Sequence, residues 1–142
     1  DIEFHFNAPD KLVYACRYAR KLFLNDGRLI ITGPDNVLEG LDAMLWRMSA
    51  HDFVAHCRGD SDAALREASP IVLTSTPNQT PHCDVLLNLG SDIPLDFGRF
   101  RKLVEVVSAQ DDADRANARV RWRHYAAQGY DLIRHDLVQR AH

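Results

Sequence analysis

Three arginines and a tryptophan near the C-terminus are the residues whose types and spacing best suit recognition chemistry. They fall in SAQDDADRANARVRWRHYAAQGYDL, Ser108 to Leu132. Arg115 and Arg119 lie one helical turn apart, and Trp122 follows on the same side, with Ala126 beyond it and Arg123 at the border. Guanidinium groups at that spacing can grip carboxylates through fork-shaped hydrogen bonds, while the indole receives an aromatic or apolar group. The bland alternative is a solvated basic face, but a large ring on an exposed face usually has a partner.

The stretch reads as one helix. Ser108, followed three residues later by Asp111, has the form of a capping box. Asp111, Asp112 and Asp114 place negative charge in the first turn, where the helix N-terminus favours it. Gly129 suits a left-handed C-terminal cap. Ala113, Ala116, Val120, His124 and Ala127 form a small apolar side that is expected to face a sheet.

The elements ahead of it read as an α/β layer fold. IEFHF, Ile2 to Phe6, alternates as a strand. Leu12, Ala15, Cys16, Ala19, Leu22 and Phe23 follow helical spacing up to Asn25, and Asp26-Gly27 ends that helix. RLIIT, Arg28 to Thr32, has the apolar run of a buried parallel strand. Gly33-Pro34 opens a second helix with Val37, Leu41, Met44, Leu45 and Met48 as its inner stripe. Strands follow at PIVLTS (Pro70 to Ser75), DVLLNLG (Asp84 to Gly90) and KLVEVVS (Lys102 to Ser108). Arg58 to Ser69 reads as a surface loop with a helical turn in DAALREA, and a short helical piece after Pro94 carries Phe97 and Phe100. The polar tail beyond Tyr130 is expected to be irregular. Strand–helix alternation implies parallel pairing with right-handed crossovers.

The bulk numbers bound the function. The 142 residues, 46% hydrophobic and 26% charged, fit one soluble domain over 1–142, and the net charge of −3 is not that of a nucleic-acid polycation. A basic helix on a mildly acidic chain favours a short acidic peptide over a long phosphate backbone. Three cysteines, Cys16, Cys57 and Cys83, without a C-x-x-C pair suit a reducing cytoplasm. No apolar run reaches membrane-span length, and no signal-peptide pattern opens the chain.

No catalytic set emerges. The turn after the first strand, NAPDK, contains no glycine, and TGPDN after the second has one, followed by a proline; neither can cradle a phosphate. His56-Cys57 and His82-Cys83 are strand neighbours that point to opposite faces, so neither pair converges on a metal. They read as buried or edge histidines and inert cysteines. No cofactor, metal site or small-molecule substrate is expected. Trp46 and Phe53 read either as core at a helix–strand junction or as exposed anchors for a protein partner.

Nearly the whole chain resembles the chi subunit family of bacterial DNA polymerase III holoenzyme. The carriers are FHFN at the start, LDAMLW followed by DFVAH, DVLLNLG, and RVRWRHYAAQGYDL, in that order and spacing. The resemblance implies a three-layer α/β/α fold with a mostly parallel central sheet, of mononucleotide-binding-like topology without a phosphate loop. It implies a non-catalytic accessory role in the clamp-loader complex during DNA replication, in the bacterial cytoplasm at the replication fork. The implied partners are the psi subunit and the acidic C-terminal tail of single-stranded DNA-binding protein (SSB), which ends in an aromatic residue bearing the free carboxylate. By the match, Arg119 is the central arginine of the tail-binding surface, Trp122 holds its aromatic position, and Arg115 and Arg123 stand where a relative carries lysines. Trp46 and Phe53 match aromatic positions of the psi-facing surface. The readings weighed against this are a small α/β nucleotide-binding protein and a direct single-stranded DNA binder.

Overall fold

In a computed structural model that describes residues 1–48 and 53–138, seven strands form one fully parallel sheet ordered β3-β4-β2-β5-β6-β1-β7. The strands are β1 (Ile2–Ala8), β2 (Leu29–Thr32), β3 (His56–Arg58), β4 (Ile71–Leu73), β5 (Val85–Asn88), β6 (Lys102–Ser108) and β7 (Leu132–Asp136). Parallel neighbours need crossover connections. These are made by α1 (Lys11–Leu24), α2 (Asp35–Met48), α3 (Ala63–Ala68) and α4 (Asp112–Ala127), with a 3-10 turn at Phe97–Arg99.

The helices divide the molecule into layers. On one face, Ala15, Cys16 and Ala19 of α1 and Leu38, Leu41 and Leu45 of α2 pack on Leu29, Ile31, Leu73, Leu87, Val104 and Val106. The three α2 leucines are fully buried, and each contributes about 1.5–3 kcal/mol by leaving water. On the other face, Ala118 and Tyr125 of α4 cover Ile2, Phe4, Ile30, Leu86, Leu103 and Val107. The central strands therefore bury both sides, which is why β2 reads as an unbroken apolar run.

Helix ends follow local chemistry. Asp10 caps α1, its carboxylate accepting from the N–H groups of Leu12 and Val13. The N-cap of α4 is Asp111, not Ser108: Asp111 accepts from the Asp114 N–H, and the Ser108 hydroxyl accepts from Gln110 and Asp111 N–H, shaping the turn before the helix. At the other end Gly129, with φ +89°, sends its N–H to the Ala126 carbonyl while the Tyr130 N–H reaches Tyr125, so two last-turn carbonyls are satisfied.

Two further sequence expectations are corrected. The tail beyond Tyr130 is not irregular: Leu132–Asp136 pairs along β1, with Phe4 opposite Arg134 and His5 opposite His135. Its polar composition is that of an edge strand, where one side chain in two meets water. The side of α4 facing the sheet is also different. Ala118, Arg121 and Tyr125 are buried there, while Ala113, Ala116, Val120, His124 and Ala127 face solvent. A buried arginine overrode the apolar pattern. Residues 49–52, within the LWRMSAHDFVAHC stretch, and 139–142, at the end of the tail, lie outside the described residues.

Candidate functional site

A groove of about 410 Å³ opens between α4 and the β6-β1-β7 side of the sheet. Arg115, Ala118, Arg119 and Trp122 line it from α4, Phe4, Phe6 and Asn7 from β1, and Arg134 from β7. Arg115, Arg119 and Trp122 thus share one cavity. Arg123 is exposed and does not line it, because its position at the border of the face turns it outward.

The groove has an aromatic floor and a cationic rim. Trp122 is half-buried and meets Phe4 edge-on, with 5.0 Å between ring centroids. That arrangement suits the ring quadrupoles and leaves part of the indole open. Arg134 lies over the Phe6 ring at 5.1 Å, held there by cation–π attraction. Arg115 donates to the Ala109 carbonyl at 3.4 Å. Among the described residues no carboxylate pairs with Arg115, Arg119 or Arg134, and no acidic residue lines the groove. Three guanidiniums with no neutralising partner make a site for anions; the rings beside them supply a place for an apolar group.

Arg134 was not legible as part of the site, since the tail carried no strand signal. The pairing of Phe4 with Arg134 is what brings it in. Asn7 adds a second tie: its left-handed backbone, φ +66°, turns its amide to donate to Asp136 at 2.8 Å, fixing the far end of β7.

Helix α4 rests on a buried ionic support. Glu105, fully inside, lies 3.2 Å from Arg121 and accepts from Tyr125 at 2.7 Å and Asn88 at 2.9 Å. Burial pushes the Glu105 carboxyl up, against the pull of Arg121 and the hydrogen bonds from Tyr125 and Asn88. Burial raises the Tyr125 hydroxyl far above its ordinary value, and Glu105 adds to this. Arg121 also donates to the Ser91 carbonyl and to Asn117. With Arg121 anchored inward, Arg119 and Trp122 are set toward the groove. Lys11 and the Ser108 N–H both meet the Asp114 carboxylate, tying the start of α4 to α1 and to the end of β6.

Trp46 and Phe53 sit near the opposite edge of the sheet, each 55% exposed. Trp46 rests against His56 of β3, 4.9 Å between centroids, and Phe53 meets Phe23 edge-on. His56 is fixed by Asp42 and the Val54 carbonyl. Two exposed rings in one neighbourhood are the kind of apolar surface that anchors a protein contact.

The crevice at the carboxyl ends of β2 and β5, where α/β sheets commonly hold ligands, is lined by Thr32, Asn88, Ser91 and Asp92 among others, with no basic residue. A phosphate would meet a carboxylate there. His82 is buried, and burial lowers its pKa; Cys83 is exposed and Cys57 buried. Among the described residues no helix is long and apolar enough to cross a membrane.

The family described as DNA polymerase III chi subunit, HolC, matches residues 1–133. A relative from Pseudomonas aeruginosa, DNA polymerase III subunit chi, is 30% identical over 128 residues, covering 89% of this chain and 87% of the relative.

Proposed function

The chain belongs to the DNA polymerase III chi subunit family, and we propose that it acts in DNA replication as a non-catalytic bridge within the polymerase III clamp-loader complex. One edge of its sheet holds the acidic C-terminal tail of SSB, and the other holds the psi subunit. The work takes place in the bacterial cytoplasm at the replication fork.

The observation that carries the tail-binding half is the groove. Arg115, Arg119 and Arg134 surround Phe4, Phe6 and Trp122 without an acidic neighbour in the lining. A peptide that ends in an aromatic residue with its free carboxylate offers a ring for Trp122 and an anion for the arginines. Acidic residues before that end extend the attraction beyond direct contact, within the roughly 8–10 Å over which charges are felt at physiological salt. Arg123, exposed beside the groove, acts at that longer range.

The psi half is supported by the exposure of Trp46 and Phe53 and by their separation from the groove. Six strand spacings lie between β3 and β7, a span of about 29 Å. Two partners can therefore be held at once. Modest affinity at each end is sufficient, because one complex sits among many SSB tails and their effective concentration is high.

The test is a pull-down on immobilised SSB tail peptide, intact or lacking its last residue. Retention on the intact peptide and loss on the shortened one is expected. Equal capture by both removes the terminal ring and carboxylate from the recognition, and with them this reading.

A further inference from the structure

We propose that Glu3, His5 and His135 form a divalent transition-metal site, of the kind zinc occupies, that clamps β7 onto β1. It is independent of the groove, on the α1-facing side of the sheet. Glu3 and His5 are two residues apart on one strand and so point the same way. His135 stands opposite His5 in the parallel register. Glu3 Oε1 lies 2.9 Å from His5 Nε2 and 3.3 Å from His135 Nε2, and the three ligand atoms are all within 4.8 Å of one another. Around a tetrahedral zinc with bonds of about 2.0–2.2 Å, neighbouring ligand atoms sit about 3.3–3.5 Å apart. Both carboxylate–imidazole separations are near that spacing, and the two imidazoles complete the set within 4.8 Å of each other.

The surroundings fit a metal as well as the donors do. His5 Nδ1 is hydrogen-bonded to the Tyr14 hydroxyl; with Nδ1–H donating there, Nε2 presents its lone pair to the ion, as an outer partner does for a ligating histidine. Glu3 and His5 are buried, whereas the His135 side chain is 30% exposed, so the ion has a route in and a water can fill the fourth position. Lys102 approaches the other Glu3 oxygen, Oε2, at 3.4 Å, and its side chain is 37% exposed. It therefore leaves Oε1 to the metal. Two imidazoles and one carboxylate favour zinc or a similar first-row ion over magnesium or calcium, which prefer oxygen alone. Because the ligands come from both strands of an edge pair, a bound ion would fix β7, the strand that carries Arg134.

Zinc chloride titrated calorimetrically into the full chain, stripped with EDTA and carrying Cys83→Ser to remove the exposed thiol, tests the site. One equivalent is expected to bind. His135→Ala, on the edge strand and tolerant of truncation, should lose that equivalent or weaken it at least 100-fold, and Glu3→Gln should do the same. Tyr14→Phe, which keeps every ligand, should weaken it about tenfold. Cobalt in place of zinc should give the visible absorption of a tetrahedral nitrogen–oxygen site, absent in His135→Ala. No zinc bound by the stripped chain, or less than a tenfold loss in His135→Ala with circular dichroism unchanged, overturns the proposal.

Discussion

Arg121 and Glu105 form an ion pair inside the protein, Nη2 to Oε1 3.2 Å apart, with both side chains at most 2% exposed. The pair joins α4 to the middle of the sheet through β6. A charge buried this deeply is tolerated only with its partner present. Glu105→Gln keeps the shape and removes the charge, leaving the guanidinium unpaired. A loss of about 3–5 kcal/mol in unfolding free energy is expected, measured from the urea midpoint. A change below about 1 kcal/mol would mean that Arg121 reaches water once released.

Arg119→Ala should weaken an acidic tail peptide by about 1–3 kcal/mol, the scale of a charge-assisted hydrogen bond, and Arg134→Ala should do so by a similar amount. Isothermal titration reads both. Wild-type affinity in Arg119→Ala would take that residue out of the site. Affinity should also fall as sodium chloride is raised, because exposed charges are screened.

Trp122 supplies an optical report. Trp46 emits too, so the measurement belongs in Trp46→Phe, far from the groove. Peptide addition should shift or quench the remaining emission as the half-open indole is covered. Emission indifferent to saturating peptide argues that the ring stays packed on Phe4 and takes no part.

Trp46→Ala and Phe53→Ala should each weaken psi association by about 2 kcal/mol or more, as truncated aromatic anchors do. Neither should alter tail-peptide affinity, because sites this far apart behave additively. Co-purification with psi and titration with the peptide, run on the same variants, separate the two edges. Loss of peptide binding in these variants would show that the edges are not independent.

Acid stability should depend on Glu3. Its carboxyl is held below the ordinary value of 4.5: burial works to raise it, but His5 and Lys102 outweigh that. As pH falls, the unfolded chain takes up this proton first. The stabilisation is therefore present above about pH 4.5 and lost as pH falls through the lower folded value. With EDTA present, Glu3→Gln should show a shallower decline of Tm across the acid limb than wild type. Every other titrating group is common to the variant and wild type, so the comparison between them isolates Glu3. Parallel slopes would remove Glu3 as the source.

The chain announced most of its scaffold. β1, β2 and β6 carry the alternation or apolar runs that sheets impose, and α2 shows its stripe clearly. α4 was legible as a helix and as a carrier of recognition chemistry, but not in its orientation. A wheel sorts residues by polarity, and Arg121 belongs on the wet side by that rule. Only Glu105, sixteen residues earlier on a strand, makes the inward position tolerable, and no local pattern encodes that partnership. β7 escaped for a related reason: its residues serve an edge and a groove, so its composition looks like a loop. Arg134 and the Glu3–His5–His135 cluster both depend on its register with β1, which no window of sequence contains.

The seven-strand order has a mechanical corollary. A pull between the β7 edge and the β3 edge runs across the strands, loading the ladders in series. The β3–β4 and β2–β4 ladders each pair three residues, while β1 and β7 pair five. Under tension the sheet should tear first at one of the two narrow ladders flanking β4, leaving the arginine-lined end intact on its load.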